Sequence, residues 1–247
     1  MSEIAANLET VYHRLHRAAE RAGRSASEIT LIAVTKTQPL ETVIQAYQAG
    51  LRHFGENRVT EGREKATDLA EWLAQMGGES PTWHLIGHIQ SRQVDEALGT
   101  YHLIHSVDSL KLAQRIDRLA TRDNQPAVEV LLQANVSGEA TKSGFELAQW
   151  STNPGQLEAF LEAVAQIGRL DKIIIRGLMT MAPWFDHAED ARPTFQSLAA
   201  LRARLRSGLP QFDWAHLSMG MTDDFEVAIE EGATMVRVGR AIFGERG

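Results

Sequence analysis

Two rhythms of apolar positions alternate along this chain. Ile4, Leu8, Val11 and Leu15 recur at three- and four-residue spacing with Arg and Glu between them, which predicts an amphipathic helix lying on a body. Residues 29–34 form instead a short aliphatic run, which predicts a strand buried on both faces. A helix follows over 39–49, with Pro39 in its first turn and Gly50 past its end. The same analysis predicts a strand over 51–55, a helix over 59–75 and a loop over 77–81. Strands over 82–86 and 101–107 come next, then a helix over 109–121 with Ser109 at its cap, and a strand over 128–134. Beyond a polar segment, 135–144, lie a helix over 154–167, a strand over 173–179 and a helix over 188–206. A strand from about 212 to 219, a short helix over 225–231 and a last strand over 234–238 end the pattern.

Such alternation predicts parallel βαβ units with helices outside. Eight units in a chain of 247 residues predict an α/β fold of the closed (β/α)8 TIM type rather than an open sheet. No repeat, low-complexity tract or linker divides the chain, so one domain over 1–247, with an extra N-terminal helix, is expected.

Composition narrows the chemistry. A net charge of −7 argues against nucleic acid or an anionic membrane as partner. The absence of cysteine excludes disulfides, zinc–thiolate sites and cysteine nucleophiles. No basic-then-apolar leader opens the chain and no apolar run nears the ~20 residues of a membrane span, so a cytoplasmic protein is expected. No apolar surface arm asks for a partner, so a monomer is expected as well.

Lys36 stands where the first strand gives way to its loop. An amine placed there can lose solvation, lower its pKa and attack a carbonyl to form a Schiff base. In barrels of this type the loops after strands 7 and 8 commonly hold a phosphate on backbone N–H groups. The sequence offers Ser218-Met-Gly220-Met-Thr222 at the first place and Arg237-Val-Gly239-Arg240 at the second. Neither has the glycine spacing of an ATP or NAD site. An amine facing a monophosphate cradle suits pyridoxal 5′-phosphate, and it suits a phosphorylated sugar in a Schiff-base aldolase too.

Other candidates weigh less. His84 and His88, and Asp186 and Asp190, are four apart but lack a third ligand, so no metal site is expected. Ser137 and Ser143 have no His–Asp partnership. Asp223 and Asp224 are expected to favour the N-terminus of the next helix, and Met179 and Met181 to pack at the barrel top.

The stretches Ala33-Val-Thr-Lys36-Thr, Phe54-Gly-Glu-Asn57-Arg, Trp83-His-Leu-Ile-Gly87, Asn135-Val-Ser-Gly-Glu139, Lys142-Ser-Gly144-Phe, Gly177-Leu-Met179, Leu217-Ser-Met-Gly-Met221 and Arg237-Val-Gly239 occur in this order. Together they resemble the pyridoxal phosphate homeostasis proteins, single-domain relatives of the N-terminal barrel of alanine racemase. The resemblance implies that Lys36 carries the cofactor as an internal aldimine, that Ser218, Gly220, Thr222 and Gly239 surround its phosphate, and that Asn57, His84 and Met179 line the ring pocket. It implies also that Arg237 faces the pyridine nitrogen, where a permanent cation would leave that nitrogen unprotonated and the ring a weaker electron sink. Thr222 stands where many relatives have Ser, and His88 where another residue is more usual.

Racemisation needs a base on each face of the cofactor plane. The opposing tyrosine of alanine racemase comes from a second domain, whereas this chain has only Tyr12, Tyr47 and Tyr101. The expectation is therefore a non-catalytic carrier that serves vitamin B6 and amino- and keto-acid homeostasis, with apo pyridoxal phosphate enzymes as acceptors. A single-domain amino acid racemase is the alternative, and a barrel aldolase a third reading.

Overall fold

The computed structural model describes residues 2–139 and 142–244. Eight of its strands form a closed, all-parallel barrel: β1 (Thr30–Val34), β2 (His53–Glu56), β3 (Thr82–Leu85), β4 (Leu103–Val107), β5 (Val128–Asn135), β7 (Ile173–Met179), β8 (His216–Ser218) and β9 (Met235–Val238). The seam that closes it joins β1 to β9, with Ile32 beside Arg237 and Ala33 beside Val238. A two-residue strand, β6 (Phe145–Glu146), adds to the upper end of β5. The predicted TIM-type fold is thus the observed one. Its domain bounds reach Met1 and 245–247, and its polar loop includes Ala140 and Thr141; these positions lie outside the described residues.

The outer layer consists of α1 (Glu3–Arg21), α2 (Leu40–Gln48), α3 (Val59–Met76), α4 (Val94–Ala97), α5 (Leu110–Arg122), α6 (Pro154–Ile167), α7 (Arg192–Gly208), α8 (Phe225–Glu230) and α9 (Arg240–Phe243). Ser2 starts α1 by accepting from the Ala5 amide at 3.2 Å, and Ile4, Leu8, Val11 and Leu15 are buried as their spacing predicts. That helix lies against α8 and α9, held by Arg14–Glu226 and Arg21–Glu230 pairs and by an Asn7 amide bond to the Ile242 carbonyl. Ser109 caps α5, accepting from the Leu112 amide. Pro39 occupies the cap position of α2 rather than its first turn. The helix predicted over 188–206 is divided, with a 3-10 turn over Ala188–Ala191 before α7.

Alternation along each strand sorts side chains into two populations. Leu31, Ala33, Ile104, Val130, Leu132, Leu178, Val236 and Val238 face outward into one continuous apolar layer with the helices. Their neighbours Ile32, Leu103, Leu131, Met179 and Met235 form a separate small cluster inside the barrel. The same alternation turns His53, His84, His105, Ser218 and Arg237 inward, each beside a residue of the outer layer.

Candidate functional site

At the C-terminal ends of the strands, a cavity of about 520 Å3 opens over the barrel mouth beside the closing seam. Its size suits a small-molecule site. It is lined by Val34 and Lys36 from the end of β1, Asn57 and Ile86 after β2 and β3, Met181 after β7, and Met221, Thr222, Asp223, Arg237, Gly239 and Arg240 around β8 and β9. The first and last thirds of the chain thus meet here because β1 pairs with β9.

The Lys36 loop is fixed by a buried polar cluster just outside the barrel. The Lys65 ammonium, on α3, donates to the Thr35 carbonyl at 2.6 Å, to Glu56 at 2.8 Å and to Glu61 at 2.7 Å. The Thr35 hydroxyl donates to the same Glu56 oxygen, and the Thr37 amide donates to Glu61. Thr37 holds φ at 64°, a left-handed conformation that costs a β-branched residue energy unless its surroundings impose it. Burial pushes the Glu56 carboxyl up, opposed by its bonds to Lys65 and Thr35. Sequence reasoning passed over this cluster. Its signal was present: Lys65 stands on the apolar stripe of α3, in line with Leu69 and Leu73.

On the opposite rim, Gly220 holds φ at 91°, and a Cβ there would come within 2.6 Å of the Ala228 Cβ and 2.9 Å of the Phe225 Cα. The turn can therefore fold tightly onto α8 only as glycine. The Gly239 amide donates to the Thr222 hydroxyl at 3.3 Å, which ties the two rim loops together. Asp223 pairs with Arg240. Asp224 occupies the cap position of α8, yet its carboxylate accepts from the Met221 amide at 2.6 Å and makes no cap bond to the helix. The expected helix-start role is thus replaced, for Asp224, by closure of the loop.

Asn57 is placed by its backbone. A Cβ on Gly87 would fall 2.2 Å from the Asn57 carbonyl oxygen, so only glycine lets the β3 loop pass this closely. His88, whose role the sequence left open, pairs with Asp108 at 3.1 Å. Among the described residues no group of three or more His, Asp or Glu could hold a metal.

Of the nine cofactor residues expected from the sequence, Lys36, Asn57, Thr222, Arg237 and Gly239 line this cavity directly. Gly220 shapes the turn behind it. His84, Met179 and Ser218 lie one layer lower, inside the barrel and almost wholly buried. Met179 packs there with Met181 above it. Ser218 accepts from the Arg237 guanidinium at 2.6 Å, and His84 bonds to His53 and His105. Arg237 also donates to the Thr180 carbonyl at 2.9 Å. Burial lowers its pKa to about 10, so it remains a cation at neutral pH.

A second cavity of about 290 Å3 adjoins the first and shares Met181, Met221 and Asp223 with it; Trp184, which is strongly exposed, stands on its wall.

The fold defines a class of protein that comparison confirms. Residues 6–247 match the family model described as alanine racemase, N-terminal domain. A pyridoxal phosphate homeostasis protein of Vibrio cholerae is 39% identical over 246 residues, covering all of this chain and 98% of the relative. One from Aquifex aeolicus is 40% identical over 243 residues, covering 97% and 96%. Among solved structures, PipY of Synechococcus elongatus with pyridoxal phosphate bound is 35% identical with a TM-score of 0.75, covering 94% of this chain and all of that one. A protein of Bifidobacterium adolescentis of unknown role superposes with a TM-score of 0.85 at 36% identity, covering 98% and 94%. The chain belongs to the pyridoxal phosphate homeostasis protein family.

Proposed function

We propose that this protein binds pyridoxal 5′-phosphate at the barrel mouth, covalently through Lys36, and serves vitamin B6 and amino- and keto-acid homeostasis as a carrier without robust catalysis. The observation that carries this reading is the convergence, on one cavity, of Lys36 with Thr222, Gly239 and Arg237. When bound, the cofactor supplies an aldehyde carbon that takes up amines reversibly.

The chain's own groups divide the binding between them. Lys36 provides the amine, presented on a loop whose flanking Thr35 and Thr37 are tied by Lys65, Glu56 and Glu61. The Thr222 hydroxyl and the backbone at Gly220 and Gly239 offer donors and room for the phosphate. Arg237 holds a positive charge toward the ring, and Asn57 forms part of the wall. Ser218, His84 and Met179 support these groups from beneath.

The carrier reading draws on the tyrosines. The Tyr47 hydroxyl donates to the Glu79 carbonyl and that of Tyr101 to the Val59 carbonyl, while Tyr12 lies on α1; none lines the cavity. The opposing tyrosine that serves the second face of the cofactor plane in alanine racemase therefore has no tyrosine counterpart among the described residues of the cavity wall.

Three measurements test the reading. Purified protein supplied with pyridoxal phosphate is expected to show a visible absorbance band that borohydride removes, with the reduced label on a peptide containing Lys36. Protein that stays colourless would overturn it. Incubation with a panel of amino acids is expected to give no turnover beyond that of free cofactor, and clear turnover would establish the racemase alternative. Transfer from loaded protein to an apo-enzyme tests the acceptor role.

A further inference from the structure

Arg237 is a fully buried cation with no carboxylate at ion-pair distance among the described residues. Its only charged influence of opposite sign is Asp224, which acts through space. What meets it instead is a row of polar side chains crossing the barrel. The Arg237 Nη1 lies 2.6 Å from the Ser218 Oγ. That oxygen lies 2.9 Å from the His105 Nδ1. The His105 Nε2 lies 3.0 Å from the His84 Nδ1, and the His84 Nε2 lies 3.1 Å from the His53 Nδ1. Five strands contribute to this row, β9, β8, β4, β3 and β2, and it ends at the first residue of β2, on the barrel end away from the cavity.

The direction of every bond follows from one constraint. Arginine has donors only, so the Ser218 oxygen accepts from it. The serine has one hydrogen to give, and His105 Nδ1 is its acceptor. His105 then carries its proton on Nε2 and donates to His84 Nδ1. His84 does the same toward His53, whose own Nε2–H points onward. In this order both nitrogens of His105 and of His84, and the Nδ1 of His53, are satisfied with all three imidazoles neutral. The reverse order leaves the serine hydrogen without an acceptor. Burial, the largest cause for each, disfavours protonation of the three rings, and for His105 the Arg237 cation adds to it.

We propose that Ser218, His105, His84 and His53 form a one-way chain of hydrogen bonds, with all acceptor ends toward Arg237, that positions the guanidinium at the cavity. Bonds in such a chain polarise one another, so the far rings contribute to holding the charge. This lets a cation stay buried in the cavity wall without a carboxylate at ion-pair distance. The histidines are positioning residues. Only their link to the cofactor rests on the function proposed above; the chain itself belongs to the unloaded protein.

Nitrogen-15 spectra of the histidines in unloaded protein at neutral pH test the chain. Expected are bare Nδ1 and protonated Nε2 on both His84 and His105, with coupling across the N–H···N hydrogen bond between them. In Ser218→Ala the His105 Nδ1 signal should move to the position of an unbonded imidazole nitrogen. A cationic ring, or a proton on Nδ1 of either residue, would overturn the proposal. Pyridoxal phosphate binding tests the positioning. His105→Asn, whose side-chain oxygen still accepts from Ser218, should stay within about twofold of the parent, and His105→Leu should weaken binding about tenfold. Equal affinity in the two variants, with both folded, would remove the positioning role. If the parent binds no pyridoxal phosphate at all, the function above fails while the spectra still decide the chain.

Discussion

Two spaces lie on either side of the barrel wall, and they are built by different rules. The space between strands and helices is almost all aliphatic and aromatic, with Phe54, Phe195, Trp214 and Phe225 wholly or nearly buried in it. Among the described residues, the space inside the strands holds a five-residue apolar cluster, and three histidines, a serine and an arginine share the interior with it. Barrels of this type usually fill their interior with layers of branched aliphatic side chains. The outer layer therefore carries the stability, while much of the inner one is given over to directional bonds that hold a charge in place. One polar cluster breaks the outer rule: Lys65, Glu56 and Glu61 sit in the aliphatic layer, directly behind the loop that presents Lys36.

Substitutions can break that contrast in order of size. Phe195→Ala, in the outer layer, is expected to cost about 4 kcal/mol, the toll of a large cavity in a close-packed region. Chemical denaturation reads it, and a loss under 1 kcal/mol would show the outer layer to be less decisive than the packing implies. Lys65→Met leaves Glu56 buried without its cation and is expected to cost about 3 kcal/mol at pH 8. The cost should shrink toward pH 5, because a carboxyl whose pKa is raised by burial is relieved by taking up a proton. An unchanged cost across that range would mean that Glu56 is not left charged.

The inner space predicts a smaller effect, with acid acting against it. His84 is held neutral, its pKa lowered from 6.5 to about 3 first by burial and then by neighbouring imidazoles. The unfolded chain protonates this residue below pH 6.5 and the native one does not, so its contribution is complete above that pH and is lost as pH falls toward 3. Between pH 7 and pH 5 it should lower stability by about 2 kcal/mol, and His84→Gln should flatten that part of the profile. Parallel profiles for the two proteins would place the acid sensitivity elsewhere.

Legibility followed the same division. The strand predicted over 173–179 has the observed bounds, because the β-branched run Ile173–Ile175 starts it and the buried Leu178 and Met179 end it, with Arg176 at a half-buried position between them. The strand predicted from 212 begins four residues later. Phe212 and Trp214 belong instead to a turn in which the Trp214 indole donates to the Leu209 carbonyl and the two rings meet edge to face. The helices α4 and α9 and the strand β6 are too short for a period to show. At the site, Lys36 and the two rim loops were visible because barrel geometry fixes where strand ends gather. The placement of His84 and Ser218 beneath the cavity was not, since it depends on which residue of β4 and β9 stands level with them. His53 and His105 were passed over for that reason, each being unremarkable until its neighbours across the sheet are known.

The seam between β1 and β9 carries a consequence for how this protein comes into being. The amine and its opposing rim are contributed by strands almost as far apart in synthesis as the chain permits, and they become neighbours only when the circle shuts. No partly made or partly unwound barrel can grip the small molecule by both ends. Occupancy is in that sense a certificate of completion, issued only by chains whose final strand has found the first.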